Sequence, residues 1–273
     1  MTVLAIDAGN TRIKFALYNS EKSSSTPMQM CVIEHASLHK TSERRAKIDL
    51  YLLYEMLDRK KITCCIGCCV AGKDIQIQLE NYLQQYGLKI QWIKASENLC
   101  GLRNTYTSPT QLGADRFVNL VSAWHQYQTN CLVVSAGTAM TIDALNDQGV
   151  FIGGVIIPGL HMMQSALLQK TAEIQQKILQ SPTQADFNAS EFQYLPLNTQ
   201  DAVFSGALMS LAGAIDRLRL ELDFIHPKEV LCVMTGGDAE LIKSLIKGKV
   251  EYQPYLLLNG LYHIAKACYI EEE

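Results

Sequence analysis

Two stretches of the chain share one frame. Residues 4–19 read LAIDAGNTRIKFALYN and residues 132–147 read LVVSAGTAMTIDALND. Each opens on three apolar residues, runs through x-Ala-Gly, and returns to Ala-Leu nine and ten residues after x. In the first copy x is Asp7, in the second Ser135. Three apolar residues, a glycine turn and a second apolar run read as strand, turn and returning strand. An offset of 128 residues is far too long for a solenoid repeat and implies a duplicated lobe instead. Around these hairpins the pattern alternates. Strands are expected at Val3–Ile6, Ile13–Tyr18, Ile62–Val70, Leu88–Ile93, Cys131–Val134, Met140–Leu145 and Glu229–Met234. Helices are expected at Leu50–Arg59, Asp74–Tyr86, Arg116–Gln128, His161–Leu179, Ala202–Leu222 and Ala239–Ile246, with a last one from Leu258. This is an α/β layer architecture, divided into an N-terminal lobe over residues 1–112 and a C-terminal lobe over 113–273, with a ligand cleft between them.

Composition narrows the function. With 48 % hydrophobic and 19 % charged residues the chain is globular, and a net charge of -3 offers no basic field for nucleic acid. Asp7, Arg12 and Lys14 interrupt the apolar start, which excludes a signal peptide, and no apolar run approaches the roughly 20 residues of a membrane helix. A soluble, cytoplasmic protein without a membrane or nucleic-acid partner is expected. Four of the nine cysteines fall in TCCIGCCVAG, where Cys65 and Cys68 have metal-ligand spacing. On a strand, however, Cys64 and Cys68 share a face about 13 Å apart, too far for one ion. The run therefore reads as small packed residues of a strand, and unpaired thiols suit a reducing compartment.

The chemistry gathers at the turns. In DAGNTRIK, Gly9 permits close backbone approach, Asn10 and Thr11 add polar groups, Lys14 can reach a phosphate, and Asp7 can hold a hydrated Mg²⁺. The competing reading is an ordinary tight hairpin. SAGT, with Thr138, supplies a second such turn, and in TGGDA Gly236 and Gly237 would leave backbone open to a flat base or sugar. Asp115 could take a hydroxyl proton and Arg116 grip a carboxylate, although an Asp is also welcome in the first turn of any helix. Thr199 also reads as part of an N-cap pair, and His161 reads as a helix-start residue.

DAGNTRIK, YTSPTQLGADR, AGTAMTID, GGVIIPGL, LNTQDAVFSG and TGGDA occur in the order found in type III pantothenate kinases, and the chain resembles that family from Asp7 to about Gly260. The string Y-x-x-P-x-Q-L-G-x-D-R followed by G-T-A-x-T-x-D is the specific part. The family belongs to the acetate and sugar kinase, Hsp70 and actin superfamily. The resemblance implies two similar lobes of ribonuclease H-like topology, each a mixed sheet flanked by helices, with an ATP cleft between them. It implies ATP- and Mg²⁺-dependent phosphorylation of pantothenate to 4′-phosphopantothenate, the first step towards coenzyme A. Asp7, Ala8, Gly9, Asn10, Thr11, Arg12, Ile13 and Lys14 match the phosphate-binding turn, and Gly137 and Thr138 a second ATP contact. Tyr106, Gly113, Ala114, Asp115 and Arg116 match the pantothenate site, with Asp115 as the catalytic carboxylate. Thr199 matches a contact that relatives supply from the neighbouring protomer, which implies a homodimer with composite active sites. A kinase for another small hydroxyl substrate is the alternative within enzymes; Tyr106 and GADR fit the pantothenate pattern better. A catalytically silent regulator like the Bvg accessory factor proteins is the alternative outside them, but Asp7 and Asp115 are both present.

Where this chain has Ser135 the family usually has Asp, associated with a monovalent cation, K⁺ or NH₄⁺. Serine offers an oxygen without charge, so a cation there loses its main electrostatic partner unless Asp143 replaces it. A weaker dependence on monovalent cations is expected.

Overall fold

The computed structural model describes residues 1–19, 26–34, 53, 56, 57, 62–179, 191–225 and 229–270. The expected helix Leu50–Arg59 lies mostly outside them, with Leu53, Met56 and Leu57 helical and buried. The chain forms two compact units: Met1–Gln128, Asp147–Ile152 and Tyr255–Glu273 make the first, Thr129–Asn146 and Gly153–Pro254 the second.

In the first unit, strands β1 (Thr2–Ala8), β2 (Arg12–Asn19) and β3 (Gln29–Glu34) form an antiparallel meander. On the other side of β1 lie β4 (Cys64–Cys69) and β5 (Ile90–Trp92), both parallel to it, giving the order β3-β2-β1-β4-β5. Val3, Leu4, Ala5 and Ile6 are all buried, as expected of a central strand covered on both faces. Leu4, Ile6 and Ala8 share a core with Phe15 and Leu17 of β2 and with Cys65. Helix α1 (Lys73–Gln84) closes that core with Ile75, Leu79 and Leu83, spaced four apart along one face.

Helices α2 (Ala114–Tyr127) and α7 (Leu256–Ile270) complete the unit. A methyl on Gly260 would come within 2.4 Å of the Val118 carbonyl, so the bare glycine lets the two backbones approach. Tyr18 fastens α7 to β2: its hydroxyl donates to Asn259 Oδ1 at 2.8 Å and its ring stacks on Tyr262 at 4.6 Å. At the last turn of α2 the His125 ring lies 3.8 Å from that of His263. Burial, then the neighbouring His125 and Lys266, push His263 down to about 4. Two short strands, β6 (Asn98–Leu99) and β7 (Leu102–Asn104), pair antiparallel, and β7 also pairs parallel with Val150 and Phe151.

The second unit holds β8 (Cys131–Ala136), β9 (Ala139–Leu145), β10 (Val150–Pro158, from Gly153 onward), β11 (Leu231–Thr235) and β12 (Val250–Tyr252). Their order is β12-β11-β8-β9-β10, with β8 antiparallel to β9, and β11 parallel to both β8 and β12. This repeats the strand order of the first unit's sheet, with the same directions in the hairpin and the two parallel pairings, the duplication that the hairpin motif announces. Leu132, Val134 and Ala136 of β8 pack with Cys232 and Met234 and with Leu208, Leu211 and Ile215 of the long helix α5 (Thr199–Ile225). Helices α3 (Leu160–Lys170), α4 (Ala172–Leu179) and α6 (Ala239–Lys243) flank it. The fold is α/β with two mixed sheets flanked by helices. No helix among the described residues is long and apolar enough to cross a membrane.

Several expected elements differ. The single helix over His161–Leu179 is two, broken at Thr171, whose N–H and hydroxyl both turn back to the Leu167 carbonyl. Strands β3, β10 and β12 carry no expectation from sequence. In β3 only Cys31 and Ile33 turn inward, too short an alternation to stand out. The stretch expected as a loop before α2 contains β7 and a 3-10 turn at Pro109–Gln111, and α2 begins at Ala114, two residues early. The two hairpins also differ by one residue in register. Asp7 faces Lys14 across the first, whereas Ser135 faces Thr141 across a turn one residue shorter.

Candidate active site

Asp7 stands at the end of β1, between Lys14 on β2 and Cys68 on β4 in the two ladders. Lys14 Nζ approaches Asp7 Oδ2 to 3.6 Å. Burial raises the Asp7 carboxyl above the ordinary carboxylate range; Lys14 pulls it back, and the charge of Asp115 adds to the rise. The Cys68 thiol, buried and flanked by both Asp7 and Asp115, is pushed well up and stays neutral. Asp7, Lys14 and Asp115 are therefore brought together, with Cys68 as an unexpected neighbour. Gly9 closes the adjoining turn by donating its N–H to the Arg12 carbonyl at 3.1 Å, and Asn10, Thr11 and Arg12 are exposed at its tip. Ala8 and Ile13 face the core, and the Ala8 carbonyl accepts the Val70 and Ala71 N–H groups, so these two residues shape the turn from behind.

Asp115 lies in the first turn of α2, where its Oδ1 accepts the Arg116 N–H at 2.9 Å. Gly113 precedes the helix; a methyl there would sit 2.6 Å from Asp115 Oδ1, so the glycine makes room for the carboxylate. Arg116 does not present an open fork. It is buried, its Nη1 donates to Tyr106 Oη at 3.2 Å, and its guanidinium lies 5.9 Å from the rings of both Tyr106 and Phe151. The Tyr106 and Phe151 centroids are 5.3 Å apart, and Thr105 Oγ1 donates to the Phe151 carbonyl at 2.6 Å. Tyr106 and Arg116 thus meet as expected. Phe151, the third member, lies in the short apolar run Val150–Ile152 between glycines, with no motif to signal it.

In the second unit the Gly137–Thr138 turn is built like the first, with Gly137 donating to the Ala139 carbonyl at 3.3 Å. Two other glycines pack on it. A methyl on Gly159 would fall 2.0 Å from the Gly137 carbonyl, and one on Gly236, at φ +104, would fall 2.1 Å from the Ala136 carbonyl. Gly236 is thus occupied by protein backbone and does not leave room for a base or sugar; only Gly237 faces open space. Ser135 is flanked on its face by Thr141 on one side and Thr235 on the other. Asp143, two residues along from Thr141, shares that face and is buried. His161 begins α3, near enough to Asp238 to oppose the rise that burial gives that carboxyl. Thr199 opens α5, and its cap is Asn198, which accepts the Asp201 N–H at 2.9 Å.

A sequence profile described as "Type III pantothenate kinase" matches residues 3–220. A protein of that name from Aromatoleum aromaticum is 36 % identical over 264 residues, covering 97 % of this chain and 98 % of its own. Another, from Nitrosospira multiformis, is 33 % identical and covers 97 % and 91 %. Among solved structures, a putative 2-dehydro-3-deoxygalactonokinase from Sinorhizobium meliloti aligns with a TM-score of 0.56 at 12 % identity, covering 98 % of this chain and 99 % of its own. The activator of the 2-hydroxyisocaproyl-CoA dehydratase from Clostridium difficile with bound ADPNP aligns at 0.53 and 13 % identity, covering 100 % and 97 %. At such identities these structures speak to the fold alone.

The closeness of Gly113 to the carboxylate yields a direct prediction. Gly113→Ala should leave the circular dichroism spectrum unchanged yet lower turnover about 100-fold, because a displacement of about 1 Å at a reacting group is enough for that loss. Turnover within twofold of the parent protein would show that Asp115 tolerates the methyl.

Proposed function

The chain belongs to the type III pantothenate kinase family and phosphorylates pantothenate with ATP in coenzyme A biosynthesis, and we propose that Asp115 is the base of that reaction. The observation that carries the assignment is the convergence of Asp115 with Asp7 and Lys14 beside an exposed glycine turn. Phosphoryl transfer needs positioning and charge neutralisation more than covalent help. The pantothenate hydroxyl oxygen attacks the γ-phosphorus, its proton passes to Asp115, and ADP departs with the bridging oxygen, giving 4′-phosphopantothenate. Residues 7–14 take the phosphates, Lys14 supplying positive charge and the turn tip its polar groups. The Gly137–Thr138 turn offers a second set of contacts to the nucleotide.

A divalent cation fits Asp7: burial and the nearby Asp115 both penalise its negative charge, and Lys14 at 3.6 Å offsets that only in part, so a further cation is favoured there. There Asp7 would hold Mg²⁺, which would supply neutralisation of phosphate charge. Tyr106, Gly113, Ala114 and Arg116 form the pantothenate side, Arg116 by fixing the Tyr106 ring. We place the reaction in the cytoplasm.

The assay is formation of 4′-phosphopantothenate from ATP, Mg²⁺ and pantothenate. Asp115→Asn should keep the fold and lose about 10²- to 10⁴-fold in turnover, the range of a general base. Unchanged turnover would remove Asp115 from the mechanism.

Ser135, between Thr141 and Thr235, makes a neutral hydroxyl row in place of the family's charged cation ligand, and Asp143 pairs with Val133 two residues along β9, about 7 Å from that row. Turnover in Na⁺ or Tris buffers should therefore stay within about threefold of that in K⁺ or NH₄⁺, a difference of less than ~1 kcal/mol. A strong K⁺ or NH₄⁺ requirement contradicts this.

A homodimer, with Thr199 reaching the partner's substrate, is supported by apolar side chains left in water on the second unit: Ile156 at 61 %, Met162 at 45 % and Phe224 at 92 % exposure. Light scattering should give twice the chain mass of 30.4 kDa; a monomer at micromolar concentration rules the composite site out.

A further inference from the structure

Cys68 stands beside the reacting groups, yet phosphoryl transfer makes no use of it. It lies on β4 directly across the parallel ladder from Asp7, which in turn faces Lys14 on β2. Residues paired across a ladder project to the same face, so Lys14, Asp7 and Cys68 form one row with the carboxylate in the middle. The Cys68 thiol is near enough to feel the charges of both Asp7 and Asp115. Cys68 is 1 % exposed, and among the described residues no group hydrogen-bonds with its sulfur.

The other cysteines of that strand are engaged elsewhere. Cys65, on the opposite face, packs in the core with Leu4, Ile6 and Leu79. Cys69 donates its S–H to the Gly72 carbonyl at 3.6 Å. Cys64 shares the Cys68 face but lies four residues back, about 13 Å along the strand. Cys68 alone presents a buried, unpartnered sulfur to a carboxylate whose charge Lys14 meets only in part.

The spacing suits a bridging ion. Paired strands run about 4.8 Å apart, and Zn²⁺ takes sulfur at about 2.3 Å and carboxylate oxygen at about 2.1 Å, so one ion spans the Asp7–Cys68 gap. Lys14 meets Asp7 from β2, the side away from β4, and at 34 % exposure it has room to swing outward. Among the described residues no three His, Cys, Asp or Glu side chains gather into a metal cage. The remaining ligands are therefore water or a nucleotide phosphate.

We propose that Asp7 and Cys68 together bind a thiophilic divalent cation of the Zn²⁺ class, which excludes Mg²⁺ from Asp7 and so arrests the kinase. Ligand softness separates the two ions. Mg²⁺ takes oxygen and leaves the thiol protonated, whereas Zn²⁺ sends the thiol proton to solvent and forms a metal–sulfur bond. No oxidation state changes. The arrest rests on the pantothenate kinase reading; binding of the soft ion does not.

Co²⁺ is the probe, because a thiolate–Co²⁺ bond gives a near-ultraviolet charge-transfer band that oxygen ligands do not. The metal-free full chain should develop that band with Co²⁺ and lose it when Zn²⁺ is added. Cys68→Ser, similar in size but with a hard oxygen, should show no band, and Cys69→Ala should keep it. Cys68→Ala gives the same readout should the serine disturb the buried strand. Zn²⁺ should inhibit formation of 4′-phosphopantothenate, with relief by excess Mg²⁺. Loss of the sulfur should raise the Zn²⁺ concentration for half-inhibition at least about tenfold, since even an outer partner of a metal ligand is worth that much. A band absent from the parent chain, or surviving without the Cys68 sulfur, overturns the ion site. Zn²⁺ inhibition that excess Mg²⁺ leaves unrelieved overturns the competition for Asp7. A parent chain that shows the band but phosphorylates no pantothenate overturns the kinase reading and leaves the ion site standing.

Discussion

A carboxylate forced out of water at the end of a central strand is the constraint on which the first unit's site depends. Asp7 sits between Ile6 and Ala8, both without exposure, so its place on β1 is fixed by the core on either side. Removing an ionised carboxylate from water costs several kcal/mol, and one lysine at 3.6 Å returns only part of it. The neighbouring Asp115 works in the opposite direction. Such an arrangement is unfavourable for folding alone and suits a site completed by cations and by a nucleotide that brings them. The rest of the unit keeps it in place: Tyr18 ties α7 to β2, Gly260 lets α7 lie close to α2, and Gly113 clears space for the carboxylate.

The second unit uses the same strand order with different chemistry. The register that sets Asp7 against Lys14 sets Ser135 against Thr141, so an ion pair has become a pair of hydroxyls. Its three glycine turns are packed backbone on backbone, Gly159 and Gly236 both pressed against the 136–138 turn. Close packing without side chains makes a stiff surface of main-chain groups, which suits anion contacts without any fixed charge. One unit therefore concentrates charge, and the other backbone dipoles.

The sequence made the duplication and the α/β class legible, because those rest on period and turn residues, and the family resemblance grouped Tyr106 with Arg116. Three things were not legible. The gapless offset of 128 residues hides the shorter second turn, so the true partner of Ser135, Thr141, emerges only from the ladder. Phe151 and Cys68 reach the site through strand pairing across long separations, which no local pattern encodes. Arg116 looked like an open fork because adjacency to Asp115 says nothing about which way a helix turns its side chain; successive residues on a helix point about 100° apart. The same ignorance of packing made Gly236 look available to a ligand.

The helix that carries Asp115 ends, about 15 Å away, at the close, tilted pair of His125 and His263. His263 is held near 4 in the folded chain, below its ordinary value of 6.5. As pH falls from 6.5 towards 4, the unfolded chain takes up a proton that the folded one refuses, so stability drains away over that interval. An imidazole that must stay neutral thus lies at one end of α2 and a carboxylate at the other. The acid limit of this protein is therefore written into the seating of a helix, and mild acidity loosens the seat of the carboxylate at its other end.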